Sequence, residues 1–530
     1  MKYIFTSIFI FSFYTIVAQT FYGTGEAIPD DGTSMMYPIE VIGLADEIDS
    51  ITFGLEMVCI NLTHTWNSDL DIRLVAPDGT IVLLSANNGW DLDNYTNTCF
   101  IDTASLNITE GYPPYTGYFR PQGQMGLVNN YQDPNGEWNL LIYDTYPFAD
   151  AGELLDWNIT FGDEPASAFT LKESNLPIVI INTSSQLILN DPRIVADMGI
   201  IDNGAGEINY VTDILNNYDG KIAIELRGAS SLGFPQKSYA FETQNELGEN
   251  NNVSLLGMPE ENDWILYAPY DDKSFMRNSL TYELSNQMGR YASRCKFCEV
   301  VINGEYLGVY VLMEKIKRDN NRVDIAELDI DDIAGDSLTG GYIVKIDWIG
   351  SDGWYSNYLP DQTAPWNNFI YYQYVYPEDA IIKPQQKNYI QDYIDSFETA
   401  LDGDDYMDTL LGWRNYASES SFIDYLILNE ISKNVDGYRL STFLYKDKNE
   451  KLRIGPVWDY NLAWHNADYC GNEIVGEWAY AITDYCATDL PFWWRKLVTD
   501  TLYNNNLRCR WEELRESTLS EENIFHYIDS

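Results

Sequence analysis

Gly455-Pro456-Val457-Trp458-Asp459-Tyr460-Asn461 is the segment around which the second half of the chain can be organised, and it follows the apolar run Leu452-Arg453-Ile454. A second acid, Asp436, lies upstream in Asn434-Val435-Asp436. Between the two acids, residues 440–445 and 452–455 read as the strands of a hairpin that turns at Asp447-Lys448-Asn449. The pattern therefore predicts two carboxylates whose separation is fixed by a rigid hairpin.

The chain is strongly acidic. Its 530 residues contain 32 Lys and Arg against 81 Asp and Glu, which gives a net charge of −49 at pH 7. This charge disfavours nucleic acid and anionic membrane surfaces as partners, because phosphate groups are bound by clustered Lys and Arg. The sequence also lacks G-x-S-x-G, H-E-x-x-H and Walker A motifs, so it offers no hydrolase or P-loop chemistry of those kinds.

Residues 1–19 are predicted to be a signal peptide. Lys2 supplies the charged region, residues 3–17 supply the apolar region, and Ile16-Val17-Ala18 offers a cleavage site. No later apolar run approaches the roughly 20 residues that a membrane-spanning helix needs. The mature protein is therefore expected to be secreted or displayed at the cell surface, without an integral membrane segment. An uncleaved N-terminal anchor is the alternative.

The seven cysteines fit an exported protein. Cys59–Cys99 and Cys470–Cys486 are the expected disulfides, although sequence alone does not fix their connectivity. Cys295-Lys-Phe-Cys298 has the spacing of a metal knuckle, but no second such pair completes four ligands. A zinc site is therefore not expected.

Residues 20–162 are predicted to form an all-β sandwich, because short segments of alternating apolar and polar residues are separated by turns. In one turn, Ala76-Pro77-Asp78-Gly79-Thr80, Pro presets φ and Gly accepts a positive φ. Further recognisable strings are Thr63-His64-Thr65-Trp66, Asp69-Leu70-Asp71-Ile72, Gly136-Glu137-Trp138-Asn139-Leu140, Gly152-Glu153-Leu154 and Trp157-Asn158. With these strings the segment resembles the P domain of proprotein convertases, a jelly-roll sandwich.

The resemblance to a P domain implies a stability or adhesion module, here without a subtilisin-type protease before it. It also implies a calcium site at Asp69 or Asp71. The alternative is that these two carboxylates cap turns on a solvated rim.

Residues 163–173 read as a polar linker, and residues 174–530 read as one mixed α/β domain. A helix is predicted over 272–288, ended by Gly289, and two amphipathic helices are predicted around 389–401 and 422–431. Ser421-x-x-Asp424 is predicted to be the capping box of the last of these helices. The strands 299–302 and 305–312 are predicted to form a hairpin, since Asn303-Gly304 suits a type I′ turn.

Asp436 and Asp459 are the candidate catalytic and metal-binding residues. In phosphotransferases one carboxylate takes the proton of the acceptor hydroxyl, and another holds Mg²⁺ across the β- and γ-phosphates. Because Mg²⁺ prefers oxygen ligands, the amide oxygen of Asn461 is a second candidate ligand. On spacing alone, the alternative that both aspartates only cap turns is favoured.

A wider set of strings changes that balance. They are Leu226-Arg227-Gly228-Ala-Ser-Ser231, Phe234-Pro-Gln-Lys237-Ser-Tyr239, Asp263-Trp264, Tyr270-Asp271-Asp272-Lys273-Ser274, Arg277-Asn278, Asn303-Gly304-Glu305-Tyr306, Glu314 and Gly340-Gly341-Tyr342, followed by the two Asp segments. In the order of these strings, and over residues of about 175–500, the chain resembles the CotH kinase family. The resemblance implies an α+β atypical protein-kinase-like domain.

The resemblance also implies roles for individual residues. Asp436 corresponds to the catalytic-loop aspartate and Asp459, with Asn461, to the metal site. The basic residues for phosphate contacts map onto Arg227 and Lys237. Glu314 is then expected to orient a lysine, and Lys345, on the predicted strand 342–346, is the rival for that lysine. Two positions depart from the family pattern. The metal-binding Asn of the kinase loop would fall near Ser441, and Asn461 occupies the position where some relatives carry a second acid.

The resemblance thus implies an exported atypical protein kinase. It would transfer the γ-phosphate of ATP to Ser or Thr hydroxyls of a protein acceptor, using Mg²⁺ or Mn²⁺. The alternative is a non-catalytic surface adhesin that keeps the kinase-like fold and binds protein or glycan. A third reading is a calcium-dependent scaffold built on the β-sandwich.

Overall fold

The computed structural model describes residues 18–184, 186–360, 369–481 and 490–529. The chain divides into two compact units, the first with residues 1–251 and 297–310 and the second with residues 252–296 and 311–530. Most of the predicted signal peptide, residues 1–17, lies outside the described residues. Within the described part of the chain, no helix combines the length and the apolar character needed to cross a bilayer.

The first unit begins with a sandwich of two antiparallel-rich sheets. Its strands are β1 (Gln19–Thr24), β2 (Ser34–Val41), β3 (Gly54–His64), β4 (Leu70–Val75), β5 (Ile81–Ala86), β6 (Tyr95–Phe100), β7 (Tyr115–Phe119), β8 (Gly136–Asp144) and β9 (Gly152–Gly162). One sheet has the order β1-β9-β3-β6-β7 and the other has the order β2-β8-β4-β5. This confirms the predicted all-β module.

The core of the sandwich follows from the alternation seen in the sequence. On β2, for example, Tyr37, Ile39 and Val41 are buried, whereas the residues between them are exposed. Trp138 and Trp157 are fully buried in the same core. Cys59 and Cys99 lie opposite each other on β3 and β6 and form the predicted disulfide. Cys470 is also disulfide-bonded, but its predicted partner, Cys486, lies outside the described residues.

A second group of strands follows the linker. It comprises β10 (Glu173–Ser174), β11 (Ile178–Asn182), β12 (Ile194–Ile201), β13 (Asn209–Tyr210), β14 (Tyr218–Arg227), β15 (Ser238–Gln244), β16 (Asp263–Tyr267), β17 (Cys295–Ile302) and β18 (Glu305–Glu314). In the first unit, β12 pairs antiparallel with β11 and β14, β14 pairs antiparallel with β15, and β11 pairs parallel with β17. In the second unit, β16 pairs antiparallel with the end of β18. The predicted β17–β18 hairpin is confirmed, with φ of +51° at Asn303 and +84° at Gly304.

The second unit is mixed α and β. It contains α1 (Arg277–Gln287), β19 (Tyr342–Ile346), β20 (Gly353–Tyr355), β21 (Tyr371–Tyr376), α2 (Pro384–Asp402), α3 (Glu419–Ser432), β22 (Thr442–Lys446), β23 (Leu452–Ile454), α4 (Trp493–Leu497), α5 (Thr501–Arg515) and α6 (Glu521–Asp529). The strands form a sheet in the order β20-β21-β19-β22-β23. The predicted β22–β23 hairpin is confirmed, and it leads directly into the Gly455-Pro456 segment.

Two sequence predictions about helix ends are wrong. Helix α1 begins at Arg277 and not at 272, because Asp272 uses its carboxylate to accept the backbone N–H groups of Ser274 and Arg277 in the preceding loop. The predicted capping box at Ser421 is also absent, since α3 begins earlier, at Glu419. The Ser421 hydroxyl instead donates to the carbonyl of Ser418, 2.8 Å away.

Candidate functional site

Asp459 lies just beyond β23, on an exposed bend of the second unit. Its φ of +67° is a left-handed backbone conformation that residues other than glycine rarely adopt. Its backbone N–H donates to the hydroxyl of Tyr282 on α1 (3.1 Å), and its carbonyl accepts from the side-chain amide of Asn434 (3.4 Å). The Tyr282 ring also stacks on Trp458, with ring centroids 5.8 Å apart. These contacts stabilise the unusual backbone and fix the direction of the carboxylate.

Ser441, just before β22, contacts this carboxylate. Its hydroxyl lies 3.4 Å from Oδ2 of Asp459, and its own φ is +48°. A hydroxyl oxygen carries no charge, so Ser441 adds a neutral oxygen to the surroundings of Asp459. The segment before β22 and the segment after β23 therefore meet at Asp459.

Asp271 brings a second carboxylate to this region, and the sequence did not single it out. Its Oδ2 accepts a hydrogen bond from Nδ2 of Asn461 at 2.7 Å. Asn466 bridges the same loops, since its Nδ2 lies 2.8 Å from the carbonyl oxygens of both Asp271 and Asn461. The nitrogen of the Asn461 amide is thus turned to Asp271, which leaves the amide oxygen as the group suited to a cation.

The hydroxyl of Tyr267, at the end of β16, is buried close to these acids. It has no hydrogen-bond partner among the described residues. Burial raises the pKa of Tyr267, and the charges of Asp271, Asp459 and Asp272 raise it further. The effect of three aspartates on one phenol shows how closely negative charge is gathered here.

Asp436 lies in the loop between α3 and β22, where Arg439 holds it. Nη2 of Arg439 is 2.7 Å from Oδ1 of Asp436, and the Asp436 N–H donates to Asn434 Oδ1 at 3.2 Å. Burial raises the pKa of Tyr469, and the charges of both Asp436 and Asp459 add to that rise. The two predicted aspartates therefore lie near one another, since the Asn434 side chain contacts the backbone of both.

Two other predicted residues of the second unit have partners of their own. Glu314, at the end of β18, accepts hydrogen bonds from the Arg294 side chain (2.8 Å) and from the Tyr291 hydroxyl (3.1 Å). Lys345, on β19 as predicted, forms an ion pair with Asp347 at 2.7 Å. The cation beside Glu314 is thus arginine, and Lys345 is paired elsewhere.

Arg227 and Lys237 belong to the first unit, whereas the other five predicted site residues belong to the second. Arg227 ends β14 opposite Ser238 of β15, and Lys237 directly precedes that strand. The Lys237 ammonium donates to the carbonyl of Leu232 at 2.6 Å. Burial lowers the pKa of Lys237 to about 8, so the ammonium is only partly protonated at mildly alkaline pH.

The donor set around Asp459 fits a magnesium ion. In the described part of the chain, no cluster of three or more His, Cys, Asp or Glu side chains is arranged to hold a metal. Mg²⁺ does not need such a cage, since it usually takes one or two carboxylates, keeps several waters and shares the phosphates of the nucleotide. Asp459, with the amide oxygen of Asn461, the Ser441 hydroxyl and the nearby Asp271, supplies that kind of site.

The predicted calcium residues of the sandwich differ from each other. Asp71 forms a two-point ion pair with Arg73, at 2.8 and 2.9 Å, which neutralises its charge. Burial raises the pKa of Asp69, and the nearby Asp144 and Asp150 raise it further. A calcium ion at Asp69 stays a prediction, whereas Asp71 is already occupied by an arginine.

Five residues that contact or influence the candidate site were not predicted from the sequence. They are Tyr267, Asp271, Tyr282, Arg439 and Tyr469. Asp271 stands inside the string Tyr270-Asp271-Asp272-Lys273-Ser274, which was itself recognised. The signal for its role was therefore present, but nothing local connects it to Asn461, which lies 190 positions away.

Comparison with known proteins gives partial matches. A family model described as CotH kinase protein matches residues 224–530, and one described as Proprotein convertase P-domain matches residues 57–161. The chain is 29% identical over 145 residues to leupeptin-inactivating enzyme 1 of Streptomyces exfoliatus, covering 27% of this chain and 26% of that protein. It is 28% identical over 139 residues to transglutaminase-activating metalloprotease of Streptomyces mobaraensis, covering 26% and 14%. It thus spans about a quarter or less of the length of these relatives.

Among solved structures, a serine protease of Aeromonas sobria matches with 17% identity and a TM-score of 0.17, over 28% of this chain and 27% of that one. The CotH family model, by contrast, extends over more than half of the chain, and it includes every residue predicted for the kinase-like site. The chain therefore belongs to the CotH kinase protein family, with a P-domain module before the kinase-like region.

Proposed function

We propose that this protein transfers the γ-phosphate of ATP to Ser or Thr hydroxyls of protein acceptors in a metal-dependent reaction. The observation that carries the proposal is that Asn434 bridges Asp436 and Asp459, in a chain of the CotH kinase family. Its side chain accepts a hydrogen bond from the Asp436 N–H (3.2 Å) and donates one to the Asp459 carbonyl (3.4 Å). One carboxylate for the acceptor and another for the metal are the two groups that phosphoryl transfer requires.

Asp436 is proposed to accept the proton of the acceptor hydroxyl. The hydroxyl oxygen forms a bond to the γ-phosphorus while the bond from phosphorus to the β,γ-bridging oxygen breaks, and ADP leaves with that electron pair. The ion pair with Arg439 at 2.7 Å orients the carboxylate that would accept this proton.

Asp459 is proposed to hold the metal, with Asn461 and Asp271 beside it. When bound, Mg²⁺ or Mn²⁺ neutralises charge on the β- and γ-phosphates. Tyr282 and Asn434 keep Asp459 in its left-handed conformation through its N–H and carbonyl groups. Arg227 and Lys237 are the proposed phosphate contacts. A contact by Lys345 or an orienting role of Glu314 would require each to exchange its present partner, Asp347 or Arg294.

We further propose that the reaction serves envelope or extracellular proteins. The predicted signal peptide and the Cys59–Cys99 disulfide support export, since such disulfides persist in oxidising compartments. Because ATP is scarce outside cells, phosphorylation before or during export is part of the proposal.

Incubation with γ-labelled ATP and either Mg²⁺ or Mn²⁺, alone and with casein as a general acceptor, tests the proposal. We expect incorporation in the native protein and a loss of at least 100-fold in Asp436→Ala and Asp459→Ala, given the size of catalytic acid–base effects. The matched control is Asp379→Ala, which removes an exposed carboxylate outside the site and should retain activity.

Calorimetry with ATP and Mg²⁺ separates the two roles. Asp459→Ala should lose metal-dependent nucleotide binding, whereas Asp436→Ala should retain it. If the native protein binds no nucleotide with either metal, the kinase proposal is wrong and a non-catalytic binding protein is the better account.

A further inference from the structure

A cavity within the second unit is lined in part by Arg439, the residue that pairs with Asp436. Its volume is about 230 Å³. It is formed by the end of β19 and the residues that follow it, by the start of β21, and by the loop after Asp436. The lining residues are Ile346, Asp347, Trp348, Ile349, Phe369, Ile370, Tyr371 and Arg439.

The charged groups in this lining are already paired. Asp347 lies 2.7 Å from the ammonium of Lys345, and Arg439 lies 2.7 Å from the carboxylate of Asp436. The rest of the wall is aliphatic or aromatic. The cavity therefore presents a largely apolar surface to a ligand, and its two charged residues are neutralised by Lys345 and Asp436.

Several of the apolar side chains at this cavity are exposed to solvent. Trp348 is 59% exposed, Ile349 is 56% exposed and Phe369 is 37% exposed. Large apolar side chains gathered at a concave surface are typical of a binding site, because their burial by a partner is favourable.

Arg439 connects this cavity to the proposed catalytic carboxylate. Arg439 forms part of the cavity wall, and its guanidinium holds Asp436. An extended polypeptide advances about 3.3 Å per residue. A side chain that enters the cavity therefore belongs to a residue close in sequence to the one whose hydroxyl meets Asp436.

We propose that the cavity receives one apolar or aromatic side chain of the acceptor polypeptide, within about two residues of the phosphorylated Ser or Thr. This inference rests on the proposed kinase function and adds the acceptor class to it. The net charge of −49 repels acidic segments, so the occupant is a neutral or basic segment that carries a single large apolar residue.

Peptides with one Ser in a Gly/Lys background test the inference. Phe, Leu, Ala or Asp is placed at each of the two positions on either side of the Ser, and kcat/KM is measured for each peptide. We expect Phe or Leu to exceed Ala by roughly 10-fold at one position, in line with the selectivity of apolar pockets. Asp at that position should be the poorest substrate.

The variant Ile349→Asp places a carboxylate in the wall of the cavity. It should reduce the ratio of kcat/KM between the Phe and Ala peptides to about one. The matched control, Ile381→Asp, alters another exposed isoleucine, 53% exposed, and should preserve the native ratio. Equal rates for all peptides, or a native ratio in Ile349→Asp, would overturn the inference.

Direct binding distinguishes failure of this inference from failure of the kinase proposal. Fluorescence anisotropy of the labelled Phe and Ala peptides, without nucleotide, reports docking alone. Tighter binding of the Phe peptide that is lost in Ile349→Asp supports the cavity even if no phosphate is transferred. Transfer without any preference for Phe supports the kinase and rejects the cavity.

Discussion

The hydroxyl of Tyr282 accepts a hydrogen bond of 3.1 Å from the backbone N–H of Asp459. The interaction joins helix α1 to the segment that follows β23, and Tyr282 is almost fully buried. Because Asp459 has a positive φ, it depends on such contacts to hold its carboxylate in place.

Tyr282→Phe should therefore weaken metal and nucleotide binding more than it weakens the fold. We expect kcat/KM for ATP to fall about 10-fold, with a loss of about 1 kcal/mol in the free energy of unfolding. Kinetics and urea unfolding measure the two effects. Tyr342→Phe is the control, since it removes an equally buried tyrosine hydroxyl whose partner is the Leu338 carbonyl. A similar loss of activity in both variants would contradict the specific role of Tyr282.

Asp271→Asn should raise the concentration of Mg²⁺ needed for half-maximal activity. The change keeps the size of the side chain and an oxygen that can accept from Asn461, but it removes a negative charge from the site. We expect about a 5- to 10-fold rise, which corresponds to roughly 1 kcal/mol. Titration of Mg²⁺ at saturating ATP measures it. Asp379→Asn removes a charge from an exposed position outside the site, and an equal rise there would show a general effect of net charge.

Asp424 is predicted to be one of the main electrostatic supports of the second unit. It is 3% exposed and accepts hydrogen bonds from the Nε atoms of Arg290 and Arg510, both at 2.8 Å. Asp424→Ala would leave two partly buried cations without their shared partner, so we expect a loss of about 3 kcal/mol in the free energy of unfolding. Glu512→Ala breaks the exposed pair with Arg508 and should cause no measurable loss. Urea unfolding of both variants makes the comparison.

Glu398 should make stability depend on pH. Burial raises the pKa of this carboxyl to about 7, although Ser356, Trp493 and Tyr372 donate hydrogen bonds to it. Between its ordinary pKa of 4.5 and about 7, the folded state binds the proton more tightly than the unfolded state. The stability that this group contributes is therefore complete below pH 4.5 and is lost as pH rises to about 7.

Glu398→Gln removes that titration. Relative to the native protein, the variant should gain up to about 3 kcal/mol in the free energy of unfolding between pH 4.5 and pH 7.5. Guanidinium unfolding at several pH values measures the difference. Glu378→Gln, at an exposed position, is the control. A difference that does not change with pH would show that Glu398 is ionised in the folded protein.

Local sequence signals predicted the elements that local interactions determine. Asn303-Gly304 fixed the β17–β18 hairpin because both residues accept a positive φ. Strand alternation predicted the sandwich, and the disulfide between Cys59 and Cys99, expected because the protein is predicted to be exported, joins two of its strands. The start of α1 was misjudged because Asp272 binds backbone N–H groups ahead of the helix, an alternative to helix formation that periodicity does not register.

The candidate site was only partly predictable for the opposite reason. Asp436 and Asp459 flank a short hairpin, so their proximity follows from neighbouring sequence. The residues that hold Asp459 and Asn461 in place are distant in the sequence. Tyr282 and Asp459 are 177 positions apart, and Asp271 and Asn461 are 190 positions apart. No local pattern encodes such pairs. The partners of Lys345 and Glu314 were missed because nearby Asp347 and Arg294 compete successfully for each charge.

The division of the chain into its two units has a consequence for proteolysis. The chain leaves the first unit after residue 251, returns at 297 and leaves again after 310. One cleavage between residues 252 and 296 therefore gives two fragments, each of which contains part of both units. We expect such nicked protein to elute as a single species from a sizing column and to separate only in denaturant. Because each unit is built from two separate segments of the chain, transfer of either unit alone to another protein would require at least two segments to be moved together.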